Sequence, residues 1–311
     1  MQINCNQLKS YLENHVLGTT IDKLKPINRG GSSLNFLCYT KNKNYLIKAI
    51  NKEKKERIVK LCNKLQILEK HPLIYTAHLE QFNNQSFFEY ENWAIMVISY
   101  IKGKKLQYKD ITPELIDKIY TSYIHISELK IDAAPQKNLP LVYEDNKNLI
   151  SELISANKGK IKQKILQAMY KLNEAVKTDF TLNTEVKIIH GDASLNNCLQ
   201  DKNKNIALLD FELARYGYEV EDWAEFFLSS ISQHSIIFIP QKRLERLIRY
   251  TNSLFNFTKQ EWIWATNQYF LNLINKRVKS KKLFKSIRKS ILFTLNLKKH
   301  KSIISVIEKI Y

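Results

Sequence analysis

The chain has 311 residues, 44% of them apolar, with 7 glycines and 6 prolines, which excludes fibrous, low-complexity and disordered classes and leaves a packed, mostly helical globule of one or two domains. The formal charge is +19, from 49 Lys and Arg against 30 Asp and Glu. Lysine dominates that excess and is spread along helical stretches, without the interleaved Arg and aromatic residues of a strand that reads nucleic acid. Nucleic acid is therefore set aside as a partner, in favour of a solvated basic surface that attracts anions such as a nucleotide.

Cys5, Cys38, Cys62 and Cys198 show no CxxC and no zinc spacing, so they read as free thiols of a reducing compartment. The N-terminus lacks a basic-then-apolar leader, and the longest apolar run, Trp93 to Ile101, is too short to span a bilayer. A cytoplasmic protein is expected.

Taken in order, Asn6 to Leu17 carries apolar residues at helical spacing (Leu8, Tyr11, Leu12, Val16) and stops at Gly18. Strands are expected over Ile21–Ile27, Leu34–Thr40 and Tyr45–Ile50. Between the first two lies Gly30-Gly31-Ser32-Ser33, either a phosphate-approaching loop or an ordinary turn. Lys48, in YLIKAI, is a lone cation in a strand with apolar flanks; burying it is costly unless an anion meets it, and the other reading is an edge-strand lysine that snorkels to water. A helix from about Lys52 to Leu68 follows, with an apolar stripe at Ile58, Leu61, Cys62, Leu65 and Leu68 and with Glu53 and Glu56 near its start.

Trp93 to Ile98 is the next clear strand, and it runs into the polar, glycine-containing segment Ser99-Tyr100-Ile101-Lys102-Gly103. From Thr112-Pro113-Glu114, a helix start with a threonine cap, the chain turns helical, with a further helix pair between Asn146 and Val176.

The stretch from Ile188 to Glu212 then breaks the pattern. An apolar strand ends at Ile189, a polar loop carries His190, Asp192 and Asn197, and Cys198-Leu199 and Ile206–Leu209 form a hairpin that ends at Asp210. Two carboxylates and an amide oxygen at one mouth suit a hard cation and a phosphate. Asp222 follows twelve residues after Asp210, at a helix start. Helices are expected near Trp223–Ser230, Gln241–Leu254, Thr258–Lys276, Lys281–Leu297 and Ser302–Ile310. Eleven Lys or Arg lie from Lys276 to Lys301, and this basic amphipathic region reads as a solvated face or as a peripheral contact with anionic membrane.

Asp192 precedes Asn197 by five residues and Asp210 lies thirteen beyond Asn197, the spacing of a protein-kinase catalytic loop and metal-binding aspartate. HGD replaces HRD and DFE replaces DFG. In this form the motifs resemble the aminoglycoside phosphotransferase and choline kinase family, over roughly Ile27 to Trp223. The resemblance implies an α+β, bilobal protein-kinase-like fold: a small antiparallel β-sheet lobe with one main helix over residues 1–100, and a larger, mostly helical lobe over 101–311. It implies ATP and Mg²⁺ as cofactors. Asp192 would be the base that takes the acceptor's hydroxyl proton, in a catalytic loop with His190, and Asn197 and Asp210 would hold the metal. Lys48 would contact the α- and β-phosphates and pair with Glu56, Gly30 to Ser33 would cover the phosphates, and the backbone of Ser99 to Ile101 would meet the adenine edge. Asp222 would brace the catalytic loop, or merely cap its helix.

The implied activity is phosphoryl transfer from ATP to a small-molecule alcohol. The DFE ending is similar to bacterial choline, ethanolamine and thiamine kinases, and Glu212, Asp222, Glu225, Trp223, Trp262, Trp264 and Tyr269 are the carboxylates and aromatic faces that a cationic acceptor would use. The acid-poor C-terminal region favours instead a sugar or a lipopolysaccharide-core acceptor near a membrane; an aminoglycoside, the further alternative, would call for a strongly acidic cleft that the sequence does not clearly show. A non-catalytic nucleotide-binding member of the fold is the reading of a different class.

Overall fold

The computed structural model describes residues 3–27, 33–131, 135, 139–156, 159–177, 182–234, 240–279 and 287–311. In chain order its main elements are α1 (Cys5–Leu12), β1 (Ile21–Ile27), β2 (Leu34–Thr40), β3 (Asn44–Asn51), α2 (Lys55–Glu69), β4 (Phe88–Tyr90), β5 (Trp93–Ser99) and β6 (Lys104–Lys105). They continue with α3 (Pro113–Ser127), α4 (Leu139–Ala156), α5 (Lys160–Ala175), β7 (Lys187–Ile189), β8 (Cys198–Gln200), β9 (Ile206–Leu208) and β10 (Arg215–Gly217). The helices α6 (Glu219–His234), α7 (Gln241–Phe255), α8 (Lys259–Val278) and α9 (Ile287–Ile310) complete the chain.

The resemblance implies a single division, near residue 100. The chain instead forms two compact units that interleave: Met1–Lys105, Thr121–Asp132 and Asn197–Leu213 make one, and Leu106–Tyr120, Ala133–Asn196 and Ala214–Tyr311 the other.

The first unit is built on an antiparallel sheet of order β1-β2-β3-β5-β4. Alternation along its strands sorts the two faces. Phe36, Cys38, Ile47, Ala49, Ile95 and Val97 turn towards Leu8, Leu12 and Val16, where Asn4 caps α1 through its side chain. Ile50, Ala94, Met96 and Ile98 turn the other way, onto Ile58, Leu61, Cys62 and Leu65 of α2. Lys48 pairs in register with Met96 and therefore projects on the α2 side of the sheet.

The hairpin β8–β9 belongs to this unit for a local reason. The Leu208 N–H donates to the Tyr75 carbonyl at 2.9 Å, and the Thr76 hydroxyl donates to the Leu208 carbonyl at 2.7 Å. The hairpin turn is closed by Asp201, whose carboxylate accepts from the backbone N–H groups of Asn203 and Asn205.

The second unit holds the two-stranded ladder β7/β10 and packs α6 against α8, and α9 against α5, α7 and α8. Trp223, Phe226, Phe227 and Trp262 form its aromatic centre. The two expected C-terminal helices differ from what is found: from Ile287 the chain is one helix through to Ile310. The charged run Lys298–Lys301 contains neither glycine nor proline to stop it, and Lys299 and His300 are buried rather than solvated. His300 Nε2 lies 2.8 Å from Asn267 Oδ1, and burial pushes its imidazole down to about 4. Part of the basic stretch is thus interior, while Leu283, Ile287, Ile291 and Leu292 have side chains outside the described residues. The helix pair expected after Asn146 begins earlier, at Leu139, where Pro140 suits a first turn. Among the described residues, no helix is long and apolar enough to cross a membrane.

Gly217 in β10 has no room for a side chain: a Cβ there would meet Ile189 Cδ1 and the Arg215 guanidinium at 2.5 Å and Glu221 Oε1 at 2.7 Å. Gly217→Ala should therefore destabilise the protein by about 1–3 kcal/mol through overpacking, read as a lowered unfolding midpoint in urea.

Candidate active site

The loop after β7 is shaped by Gly191, which adopts φ +75°, a left-handed conformation that residues with a Cβ enter at a cost. Asp222, on the first turn of α6, lies behind it. One carboxylate oxygen accepts the N–H of His190 at 2.7 Å and the other the N–H of Gly191 at 2.9 Å. The His190 ring, 1% exposed, accepts the N–H of Asp192 through Nδ1 at 3.3 Å. His190 thus shapes the loop from inside, and Asp192 is the loop's partly exposed carboxylate.

Asp222 was expected either as a brace or as a substrate ligand. Its contacts are those of a brace: it is 4% exposed and both oxygens are spent on the loop. Burial pushes its carboxyl up to about 7, against the opposing pull of the Gly191 and His190 N–H groups and of Arg215. Beside it, the buried pair Arg215–Glu221 joins β10 to α6 at 2.5 Å, and Glu221 also accepts the Tyr218 N–H at 3.0 Å. The sequence carried no signal for this pair.

In the first unit the charges gather around Lys48. Its ammonium lies 3.2 Å from Asp210 Oδ1 and 3.1 Å from Glu212 Oε2. Asp210 follows β9 with φ +65°, a conformation uncommon outside glycine and tolerated by Asp, which ends the strand. The backbone bond from Leu209 N–H to the Asn197 carbonyl, at 2.8 Å, holds the two ends of the hairpin together, so Asn197 and Asp210 are one residue removed from being directly bonded. Both offer oxygen donors, the chemistry a hard divalent cation takes. Among the described residues there is no cluster of three or more His, Cys, Asp or Glu.

The expected partner of Lys48 is different. Glu56 is 84% exposed and turns to Lys60 on its own helix, at 3.0 Å. Glu212, expected among the substrate ligands, takes that place, and its second oxygen meets the guanidinium of Arg57. The signal that could have found Arg57 is helical spacing: Arg57, Leu61, Leu65 and Leu68 follow one face of α2, whereas Glu56 and Lys60 fall beside it.

Gly30, Gly31 and Ser32 lie outside the described residues; Ser33 is described, and its hydroxyl accepts from Asn35 at 3.4 Å. At the end of β5, the Ser99 N–H donates to the His78 carbonyl at 2.8 Å and the Tyr100 N–H to the Asn44 carbonyl at 3.2 Å, so both of these N–H groups are engaged within the fold.

Within the second unit, a small cavity of about 20 Å³ lies beside the loop after β7, lined by the Arg215–Glu221 pair and by Gly191, Asp222, Glu225, Gln268, Tyr269 and Asn272, among others. Neither amide atom of Gln268, a residue 2% exposed, has a hydrogen-bond partner among the described residues. Trp223 and Trp262 do not line it. They are 0% and 2% exposed, packed on Phe226, Phe227 and Phe257, and Trp262 donates its indole N–H to Asn252 at 2.6 Å. Their apolar spacing was that of a core, as it is for Trp264, set edge-on to Tyr218.

The sequence profile of the APH phosphotransferase enzyme family matches residues 23–236. The chain belongs to that family. Among solved structures, this phosphotransferase is similar to an aminoglycoside phosphotransferase from Alicyclobacillus acidocaldarius, with 12% identity over 93% of this chain and 91% of that one and a TM-score of 0.65. It is similar to spectinomycin phosphotransferase in complex with ADP and spectinomycin, with 12% identity over 100% and 99% and a TM-score of 0.64. It is also similar to the choline kinase LicA from Streptococcus pneumoniae, with 18% identity over 98% of each chain and a TM-score of 0.58. No curated protein matches. The shared architecture is the α+β, protein-kinase-like one that the motifs implied.

The raised pKa of Asp222 carries a pH dependence. A carboxyl that ionises near 7 when folded, against 3.8 ordinarily, gives stability that is complete below about pH 4 and is lost as the pH rises through 7. In thermal unfolding between pH 4 and 8, the wild-type midpoint should fall relative to that of Asp222→Asn as the pH rises. A constant difference would mean that Asp222 is ionised throughout.

Proposed function

We propose that this phosphotransferase moves the γ-phosphoryl group of Mg-ATP onto the hydroxyl of a small amino alcohol. The observation that carries the nucleotide half is the meeting of Lys48 with Asp210, two groups 162 residues apart in sequence. A cation buried on a sheet needs an anion, and a carboxylate in a left-handed turn at a hairpin end is costly to keep without a task. Lys48 binds nucleotide phosphates. Asn197 and Asp210 would hold Mg²⁺, which when bound neutralises phosphate charge.

In the transfer, the acceptor oxygen forms its bond to the γ-phosphorus as the bond to the β–γ bridging oxygen breaks, and ADP leaves. The hydroxyl proton passes to Asp192. Little covalent chemistry falls to the protein, so its contribution is position and charge. Asp222 serves the first by fixing the backbone on which Asp192 sits.

The acceptor is argued from the cavity. Glu225 offers a carboxylate, Tyr269 a phenol, and Gln268 and Asn272 amides. An unsatisfied buried amide costs about 1–3 kcal/mol, so Gln268 calls for a polar group from outside the fold. The space suits one compact group, such as an ammonium. A trimethylammonium wants several aromatic walls, and with Trp223 and Trp262 in the core, Tyr269 is the one aromatic residue at the cavity among the described residues. A primary amine of the ethanolamine type is therefore preferred over choline. The second reading, an aminoglycoside, is favoured by the likeness to spectinomycin phosphotransferase, since the amines of spectinomycin present the same kind of ammonium.

A transfer assay with ethanolamine, choline, thiamine, hexoses and spectinomycin tests the reading, with the highest kcat/KM expected for ethanolamine. Asp192→Ala should lower kcat by at least about a hundredfold while ADP affinity is kept, and Asp210→Ala should abolish Mg-dependent ATP binding. Turnover by Asp192→Ala close to wild type would remove the base from the mechanism. Nucleotide binding without transfer to any alcohol would point to a non-catalytic member of the fold.

A further inference from the structure

Lys48 has two carboxylate partners that differ in their surroundings. The Asp210 side chain is 47% exposed, and that of Glu212 is 10% exposed, equal to the lysine's own. An exposed ion pair is weak and exchangeable, whereas a buried one persists because breaking it strands a charge. Asp210 can thus leave Lys48 when a cation claims it, and Glu212 stays. Glu212 is itself held from the other side by the Arg57 guanidinium, which projects from the first turn of α2. The helix contributes a cation where an acid was expected, and the acid comes from the segment after Asp210.

We propose that Glu212 is the positioning residue of Lys48 and that Arg57 is its anchor, so that α2 fixes the strand lysine through the relay Arg57–Glu212–Lys48. This rests on the reading of Lys48 as a phosphate ligand. The relay keeps the ammonium in place at the moment its exposed partner is drawn away. It also makes Glu212 electrically neutral to an incoming phosphate, since the guanidinium balances the charge that the lysine shares. Glu56 has no part in it.

The relay is tested by calorimetric binding of ADP without metal. Glu212→Gln and Arg57→Gln should each weaken ADP binding about tenfold, within the range for a hydrogen-bonded charge. The double variant should be no weaker than Glu212→Gln alone, because the two act in series. Arg57→Lys should recover most of the loss, and Glu56→Ala should bind ADP as wild type does. Additive losses, or an Arg57→Gln protein with wild-type affinity, would overturn the relay. So would a Glu212→Gln protein altered only in its Mg²⁺ requirement, which would make Glu212 a metal ligand instead.

Should wild-type protein bind no nucleotide, the functional reading fails, and thermal unfolding decides the relay by itself. The losses in midpoint from Lys48→Met and Glu212→Gln should then be markedly less than additive; additive losses refute the coupling.

Discussion

A lysine ammonium placed on the apolar side of a sheet is the constraint around which the first unit is arranged. Left alone it would cost several kcal/mol, so the fold brings it counter-charges from residues far along the chain. That requirement explains why the hairpin after Asn197 belongs with the sheet, fastened to Tyr75 and Thr76, although the residues on either side of it belong to the other unit. It also gives a reason for the unusual backbone of Asp210, because a regular strand would carry that carboxylate onward in the alternating pattern.

The second unit solves a different problem, that of holding a loop still. A glycine in a left-handed conformation, an inward histidine and a buried aspartate that accepts two successive N–H groups leave the backbone before Asp192 few alternatives. The device spends a carboxylate in a place where burial disfavours its charge. Backbone donors and the nearby Arg215 offset part of that penalty. Side chains packed behind the loop thus define where Asp192 stands.

Much of this was readable from residue patterns. The strands around Lys48 alternate as they should, the HGD and DFE stretches fall at informative spacing, and caps and breaks mark most helix ends. What escaped was information that spacing does not encode. Glu56 and Arg57 are neighbours in sequence, and a preference for opposite charge beside Lys48 picks the glutamate; one residue of helical rotation gives the place to the arginine, with the acid supplied from elsewhere. Trp223 and Trp262 have the residue type of a cation-binding wall, but their burial is set by packing between helices distant in sequence. The fused C-terminal helix was missed because a run of charge looks like a boundary, while Lys299 and His300 find interior positions. The Arg215–Glu221 pair depends on a short ladder between β7 and β10 that no local pattern announces.

The tripeptide that begins at Asp210 has a further implication. Its middle residue, Phe211, is fully buried, and the next, Glu212, is gripped by two cations. A segment pinned in this way at consecutive positions has no slack with which to swing out and back. To swing that peptide out, as a latch would, the chain would have to expose Phe211 and break both ion pairs of Glu212 together.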